Sequence, residues 1–310
     1  MADTVLARPG PAGTGASGGP GAAPAPAPAA PLASVAPAPG PRRPILQSVG
    51  AGLLLLAFIA LGLAGYLYGL SGVQEARAQT TLYTRLQYEL ANQLAPLGPT
   101  APGSPVAVLD IPAIGIRDMV VVQGTSPENM TLGPGHLRDT PYPGQAGVSE
   151  IFGRRATFGA PFARLADLRP GDLIETITGQ GRSTYRVAAL ADSRIRIEDP
   201  APNRLVLLTA SSPFIPSYYT EVDARLVSAA RPGPAVVHVL NAPELVLAGD
   251  TGALVLTTLW AVALVIVAAA GTFAAGRWSP WAAYLAAGPV ALAVLWNLYQ
   301  SLSALLPNVY

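Results

Sequence analysis

The chain has 310 residues, of which 51% are hydrophobic and only 12% are charged, and its formal net charge is +1. A soluble globular domain carries about 25% charged residues, so part of this chain is expected to face something other than water. The near-zero net charge argues against nucleic acid as a partner, and the absence of cysteine excludes disulfides, thiolate metal sites and iron–sulfur clusters. Because His136 and His238 are far apart and nothing near them has metal-ligand spacing, we expect no metal and no cofactor.

Residues 1–44 are dominated by alanine, proline and glycine. Such a composition buries too little apolar surface to offset the entropy of ordering, so this tail is predicted to be disordered. A proline-rich tail can dock an adaptor domain, but no repeated basic PxxP pattern is present, and a passive spacer is the preferred interpretation.

Three stretches, residues 45–70, 253–276 and 281–306, are long and apolar enough to be transmembrane helices, since crossing a bilayer takes roughly 20 apolar helical residues. A cleavable signal peptide is the alternative for the first stretch, but its apolar run is longer than the usual signal core of about 7–15 residues. Arg42 and Arg43 precede the first span, and Arg277 lies between the last two. The positive-inside rule then predicts a plasma-membrane protein with a cytoplasmic N-terminal side and an extracytoplasmic region between spans one and two.

Residues 71–104 follow the first span and carry Leu82, Leu86, Leu90 and Leu94 at i, i+4 spacing. This pattern predicts an amphipathic helix that either rises from the membrane as a stalk or packs on the next domain. Alternating prolines and glycines from Pro96 to Pro105 end the helix and mark a domain boundary.

Residues 105–231 are long enough for one compact domain, and residues 232–252 are predicted to be a linker. Short β-branched runs separated by turn signals indicate a mainly β domain, either a closed barrel or a sandwich. The predicted strands are residues 106–111, 116–122, 148–152, 172–177, 184–190, 194–198, 205–209 and 225–229, with helical pieces at 127–132 and 162–168.

A series of motifs in this domain resembles the sortase family, in particular its classes D and E. The series comprises Ile-Pro-Ala-Ile-Gly-Ile at 111–116, Gly-Pro-Gly-His at 133–136 with Pro-Gly at 143–144, Gly-Arg-Arg-Ala-Thr-Phe-Gly-Ala-Pro-Phe at 153–162, Leu-Arg-Pro-Gly-Asp at 168–172, the strand at 205–213, and Arg-Leu-Val at 225–227. The resemblance implies an eight-stranded β-barrel. It also implies a membrane-anchored protein of Gram-positive cell surfaces, where sortases cut and join sorting-signal peptides with a cysteine thiolate, a histidine and an arginine.

Two of the three catalytic positions implied by the resemblance carry other residues. Arg154 stands at the histidine position and Ser211 at the cysteine position, whereas Arg225 matches the family's arginine. A serine hydroxyl needs an adjacent general base, and a guanidinium, whose pKa exceeds about 12, cannot act as one. Proton transfer contributes about 10²–10⁴-fold to such reactions. We therefore expect a degenerate sortase, a pseudoenzyme, that binds or scaffolds surface or secreted proteins.

The enzymatic alternative is a divergent transpeptidase or hydrolase that uses Ser211 as its nucleophile. Glu150, four residues before Arg154 on the same predicted strand, is a candidate base, although an ion pair with Arg154 or Arg225 or simple solvent exposure is the preferred interpretation. His136 lies in the Gly-Pro-Gly-His segment rather than on the catalytic strand, and we predict a structural role for it.

A groove without a catalyst can still bind a ligand. Two guanidiniums, of Arg154 and Arg225, beside the hydroxyls of Ser211, Ser212, Tyr218 and Tyr219 would suit a carboxylate or a peptide backbone; alternatively, Arg154 merely fills the vacant site. The predicted partners are the lipid bilayer and a surface or secreted protein or its sorting-signal peptide. A third hypothesis, beside the pseudoenzyme and the serine enzyme, is a subunit of a membrane complex in which the barrel is only a spacer. Its partners would be other membrane proteins that contact the second and third spans, which are rich in alanine and glycine.

Overall fold

The structure, a computed structural model, describes residues 44–213, 218–234 and 242–310. Residues 1–43, for which disorder was predicted, lie outside the described residues, and so does His238.

Three helices of the described chain are long and apolar enough to cross a membrane, which agrees with the three spans predicted from the sequence. Helix α1 (Pro44–Gly65) continues through a π-helical turn (Tyr66–Leu70) into α2 (Ser71–Ala91). Helices α3 (Ala253–Arg277) and α4 (Pro280–Ala304) are joined by two residues and form an antiparallel hairpin. The first candidate span is thus the apolar part of one long helix whose polar part is α2.

The domain between α2 and α3 is a closed barrel of eight strands, which confirms the predicted fold class and decides between barrel and sandwich. The order around the barrel is β1-β2-β3-β4-β7-β8-β6-β5, and the β2–β3 and β4–β7 pairs are parallel whereas the others are antiparallel. The strands are β1 (Pro105–Ile111), β2 (Ile116–Gln123), β3 (Gly135–His136), β4 (Val148–Phe152), β5 (Leu173–Thr178), β6 (Gly181–Ser193), β7 (Arg204–Ala210) and β8 (Tyr219–Leu226).

Two predicted strands are wrong. Residues 194–198 form no strand, and the last strand is Tyr219–Leu226 rather than 225–229. The error has a physical cause in β8, because Glu221 and Asp223 are buried in ion pairs with Arg196 and Arg204. Strand prediction from alternating apolar and polar residues assumes that acidic side chains face solvent. A strand with buried acidic side chains therefore lacks the expected alternation. The two-residue β3 is too short to leave a periodic signal.

Inward-facing residues of the strands form one aliphatic and aromatic core inside the barrel, and they include Leu109, Ile151, Leu207 and Val222. A second apolar layer joins α2 to the outside of β1 and β2. There Leu82 and Leu86 pack with Val108, Val120 and Val122. Of the two possibilities left open by the sequence, helix α2 packs on the barrel.

The α3–α4 hairpin returns to the barrel at both of its ends. The amide of Asp250, before α3, donates to the carbonyl oxygen of Ala304 at the end of α4 (2.9 Å). The amide of Asn308 donates to the carbonyl oxygen of Ala248 (2.8 Å). The segments on either side of the hairpin are therefore tied to each other, and both reach the outer face of the barrel.

Candidate functional site

An apolar surface covers the outside of the barrel where β4, β7 and β8 adjoin. Side chains alternate along a strand: Leu205 and Leu207 of β7 point into the barrel core, and the residues between and after them point outward. We name this outer surface the groove face, and it is formed by Phe152, Val206, Leu208, Ala210 and Tyr219.

The last residue of β7 on the groove face is Ala210, which is fully buried. Ser211 follows the strand and is half-buried, and its amide donates to the carbonyl oxygen of Tyr218 (3.1 Å). By strand alternation, a nucleophile pointing from β7 into the groove would stand at position 210. The chain has a methyl group there, and the expected hydroxyl lies one residue further on.

Arg154 lies just after β4, in the loop that borders the groove face, and its side chain is completely buried. Its guanidinium donates to the carbonyl oxygens of Met130 (3.1 Å) and Pro127 (2.8 Å) and to Oγ1 of Thr157 (3.2 Å). Its Cζ lies 4.7 Å from the centroid of the Phe158 ring, within the range of a cation–π contact. These groups position the guanidinium as a hydrogen-bond donor, so Arg154 holds the 127–130 loop against the groove rim.

Burial lowers the pKa of Arg154 from 12.5 to about 10. The cause is desolvation, which disfavours the charged form. Even so, the group remains protonated at neutral pH, and it cannot accept a proton from a hydroxyl. Position 154 therefore carries no group that could act as a general base.

A short turn of the chain itself, residues 307–310, occupies the groove face, and we name it the plug. Val309 is fully buried in the cluster that contains Leu208 and Ala210. Its carbonyl oxygen accepts hydrogen bonds from the amides of Arg155 (3.1 Å) and Ala210 (3.4 Å). Thr157 donates through Oγ1 to the carbonyl oxygen of Tyr310 (2.8 Å). The plug therefore bridges the loop after β4 and the end of β7.

Asn308 anchors the plug on its other side. Its side-chain amide donates to the carbonyl oxygens of Thr125 (2.8 Å) and Leu245 (3.0 Å), and the residue is fully buried. Leu245 belongs to the segment before α3, which is itself held by an ion pair between Glu244 and Arg138. Both flanks of the α3–α4 hairpin thus converge on the groove face.

Comparison with known proteins addresses what kind of barrel this is. The family model described as the sortase domain matches residues 109–232. The chain is 31% identical over 85 residues to Sortase D of Bacillus subtilis (strain 168), an alignment that covers 27% of this chain and 41% of that protein. Among solved structures, sortase E from Streptomyces avermitilis is 30% identical, with 42% of this chain and 91% of that chain covered and a TM-score of 0.37. The Clostridium perfringens Sortase D5 transpeptidase is 18% identical, with 49% and 99% covered and a TM-score of 0.43.

This chain belongs to the sortase family. The chain spans less than half of the length of the curated relative, 41%. Membership fixes the barrel and directs attention to the groove face. The chemistry depends on the residues that this sortase-like chain has there.

The expectation that Arg225 faces Ser211 across the groove is wrong. In the β7–β8 ladder Arg225 pairs with Arg204, whereas Tyr219 pairs with Ala210. Arg204 lies six residues before Ala210, so Arg225 is about 20 Å away from the groove end of the strand at about 3.3 Å per residue. Its side chain is exposed and forms an ion pair with Asp199 (2.8 Å). The two guanidiniums proposed from the sequence are therefore not brought together.

Glu150 is also placed away from the groove end. It is opposite Val206 in the β4–β7 ladder, and it forms an ion pair with Arg196 (2.8 Å). Arg154 lies beyond the end of β4, so the two residues do not share a strand face as the sequence suggested. Arg196 also pairs with Glu221 (3.1 Å). Glu150 thus belongs to an ion-pair cluster on the loop after β6, and its partner is neither of the two arginines expected.

The remaining groove candidates are divided between surface and interior. Tyr218 is exposed, and Ser212 is half-buried beside Ser211. Tyr219 is buried in the groove face, and its hydroxyl donates to the carbonyl oxygen of Arg194 (3.0 Å). Of these side chains, only Tyr219 takes part in the apolar surface under the plug.

His136 is fully buried in β3, away from Ala210. Its Nε2 lies 3.0 Å from the carbonyl oxygen of Pro141, and its Nδ1 lies 3.2 Å from Oε1 of Gln123. Tyr142 packs edge-on against the ring, with centroids 5.0 Å apart. Burial lowers the pKa of His136 to about 4, so the ring is neutral at physiological pH. These contacts favour the structural role predicted for it.

Several residues at the site were not found from the sequence: Arg155, Thr157, Asn308, Val309 and Tyr310. The first two lie inside the 153–162 motif, so the motif itself was the available signal. The plug left no signal, because it meets the loop after β4 across roughly 150 residues of intervening chain. No cluster of three or more histidine or acidic side chains that could hold a metal occurs in the part of the chain that the structure describes.

Proposed function

We propose that this protein is a membrane-anchored sortase-like module that binds a peptide segment of a surface or secreted protein without cutting it. The observation that carries the proposal is that Ala210 and Arg154 both stand where the sortase family has catalytic groups. A methyl group stands at the groove-facing end of β7, and a buried guanidinium held by three oxygen acceptors stands where the family's histidine is expected. Neither group can form an acyl intermediate or transfer a proton at neutral pH.

The proposed topology places the barrel outside the cell. Arg42 and Arg43 precede the first span, and Arg277 lies at the end of the α3–α4 hairpin opposite Asp250 and Ala304, which meet beside the barrel. The positive-inside rule assigns both sets of arginines to the cytoplasmic side. An extracytoplasmic barrel agrees with a role on surface or secreted proteins.

The test uses the full chain in detergent micelles, incubated with fluorogenic sorting-signal peptides, beside Ser211→Ala. Cleavage is expected to be absent from both proteins, and peptide binding at high concentration is expected to be equal in both. Cleavage that disappears in Ser211→Ala would overturn the proposal and identify a serine-dependent transpeptidase or hydrolase.

Binding is assigned to the groove with two arginine variants. Arg155→Ala should weaken peptide binding, because Arg155 borders the groove and donates through Nη1 to the carbonyl oxygen of Ala210 (3.1 Å). Arg225→Ala is the matched control, since Arg225 lies at the far end of β8. Equal weakening by both variants, or no binding to any of them, would contradict a peptide site on the groove face.

A further inference from the structure

The plug is held by contacts that are typical of a bound peptide rather than of a strand in the sheet. It belongs to no strand, and it folds into a turn in which the amide of Tyr310 donates to the carbonyl oxygen of Pro307 (3.0 Å). One buried aliphatic side chain, Val309, sits in the apolar surface, and one buried amide side chain, Asn308, makes the directed polar contacts. A few polar contacts around an apolar pocket are the usual way in which a protein fixes a small ligand.

The fit of the plug is incomplete. Oδ1 of Asn308 is buried and finds no hydrogen-bond partner among the described residues. A buried acceptor without a partner costs free energy relative to the same group in water. The seated plug is therefore stabilised less than its buried area implies, which is the property expected of an occupant that can leave.

The plug is covalently continuous with α4 and contacts the first span, whereas it is held on the barrel by hydrogen bonds and apolar packing alone. The plug begins at Pro307, three positions after Ala304, the last residue of α4. The hydroxyl of Tyr310 lies 2.5 Å from the hydroxyl of Tyr68, in the π-helical turn of the first span. Movement of α4 against the first span would shift the plug, because its first residue follows α4 in the chain and Tyr310 contacts Tyr68. The barrel can stay folded meanwhile, since its eight strands close without the plug.

We propose that residues 307–310 are an intramolecular ligand of the groove and that an external peptide enters only after they leave. This inference rests on the proposed peptide-binding function and adds its regulation and its ligand class. The ligand is a short peptide turn with a proline, then a residue bearing a side-chain amide or similar polar group, then a branched aliphatic residue.

The absence of cysteine allows a direct test. Ala210→Cys in the full chain provides a single thiol beneath the plug, and its rate of alkylation by iodoacetamide in detergent micelles reports whether the groove is open. The rate is measured in three backgrounds: unchanged, Val309→Asp, and Val227→Asp. Val227 is 58% exposed on the barrel, so it is the matched control for adding an aspartate.

An aspartate at position 309 would place a carboxylate among aliphatic side chains, so the seated state should lose roughly 10-fold or more of its population. We expect Val309→Asp to raise the alkylation rate of the thiol by a similar factor and Val227→Asp to leave it unchanged. Circular dichroism of each variant checks that the strands and helices are intact. An unchanged rate in a folded Val309→Asp protein would overturn the proposal, whatever the protein binds.

A milder pair of variants guards against misfolding. Asn308→Ala removes two hydrogen bonds that hold the plug, whereas Asn297→Ala removes an amide that donates to Ala293 within α4 (2.8 Å). Only the first should raise the alkylation rate. Equal rates in these two variants would show that the plug is a fixed part of the fold.

A peptide with the sequence Leu-Pro-Asn-Val-Tyr, that of residues 306–310, separates this inference from the proposed function. Added to the Val309→Asp protein, it should protect the thiol, and it should protect much less where the native plug competes from within the chain. Faster alkylation without protection would mean that the plug leaves but the groove takes no peptide, which would overturn the proposed function and the ligand class while the opening itself stands.

Discussion

The buried histidine of β3 predicts a loss of stability in mild acid. His136 has a pKa of about 4 in the folded protein against 6.5 for an exposed histidine, because its imidazole is fully buried. A base whose pKa is lowered by folding binds protons more tightly when unfolded. Its contribution to stability is therefore complete above pH 6.5 and decreases as the pH falls from 6.5 to 4. At 1.36 kcal/mol per pKa unit, the loss over this range is about 3 kcal/mol.

The assay is urea unfolding of the barrel in the full chain, in detergent micelles, followed by the strand signal in circular dichroism between pH 7 and pH 4. Carboxylates of the barrel also have shifted pKa values: burial raises the pKa of Glu221 and of Asp223, whereas the Arg225 guanidinium lowers the pKa of Asp199. The comparison of wild type with His136→Gln cancels these carboxylates, because they are common to both proteins.

His136→Gln should be less stable than wild type at pH 7, since glutamine does not reproduce all the ring contacts, but the gap should narrow by about 3 kcal/mol toward pH 4. Thr140→Val is the matched control, because its hydroxyl lies 3.1 Å from Nε2 and the histidine is kept. Because that variant keeps the buried ring, its stability should still fall between pH 7 and pH 4, as that of wild type does. If the curves of wild type and His136→Gln run parallel, the reasoning from the buried neutral ring is refuted.

Three further variants test the packing that surrounds the groove. Leu86→Ala should destabilise the barrel by about 2–5 kcal/mol in thermal unfolding, because this fully buried side chain fixes α2 to β1 and β2. Gly153→Ala should cost about 1–3 kcal/mol in the same assay, since an added Cβ would lie 2.2 Å from the Phe162 ring. Glu244→Gln should remove about 1–3 kcal/mol in the same assay, because it weakens the buried bond to Arg138.

Local patterns in the sequence were sufficient for a mainly β domain and for the three apolar helices, whereas the choice of a closed barrel over a sandwich came from the resemblance to sortases. Strands such as β1 and β2 are short β-branched runs joined by the Pro-Ala-Ile-Gly turn, where Gly115 takes a positive φ of 80°. The spans need only an uninterrupted apolar run. Neither inference requires knowledge of which distant residues meet.

Register was the point at which the sequence failed. Matching the triplet Arg225-Leu226-Val227 to a family strand gave the right strand but the wrong end of it, since the ladder puts Arg225 beside Arg204. The same difficulty affected Ser211, for which one residue of offset decides whether a side chain faces the groove. A resemblance between motifs aligns residues, whereas the direction of a side chain is set by strand alternation that begins at a particular residue.

The proposed role of the plug would explain why a sortase barrel has two candidate spans beyond its first. A barrel that only needed an anchor would be held by the first span, whose π-helical turn packs through Tyr66 against Phe158 of the loop after β4. The α3–α4 hairpin adds two flanking segments that are bonded to each other and inserted over the groove face. Since Val309 is covalently continuous with α4, the proposal implies that a partner that displaces α4 would change access to Ala210. Under the proposed regulation, the hairpin is the connection through which contacts of the spans would control peptide binding, and this would give the alanine- and glycine-rich spans a role that anchoring alone does not require.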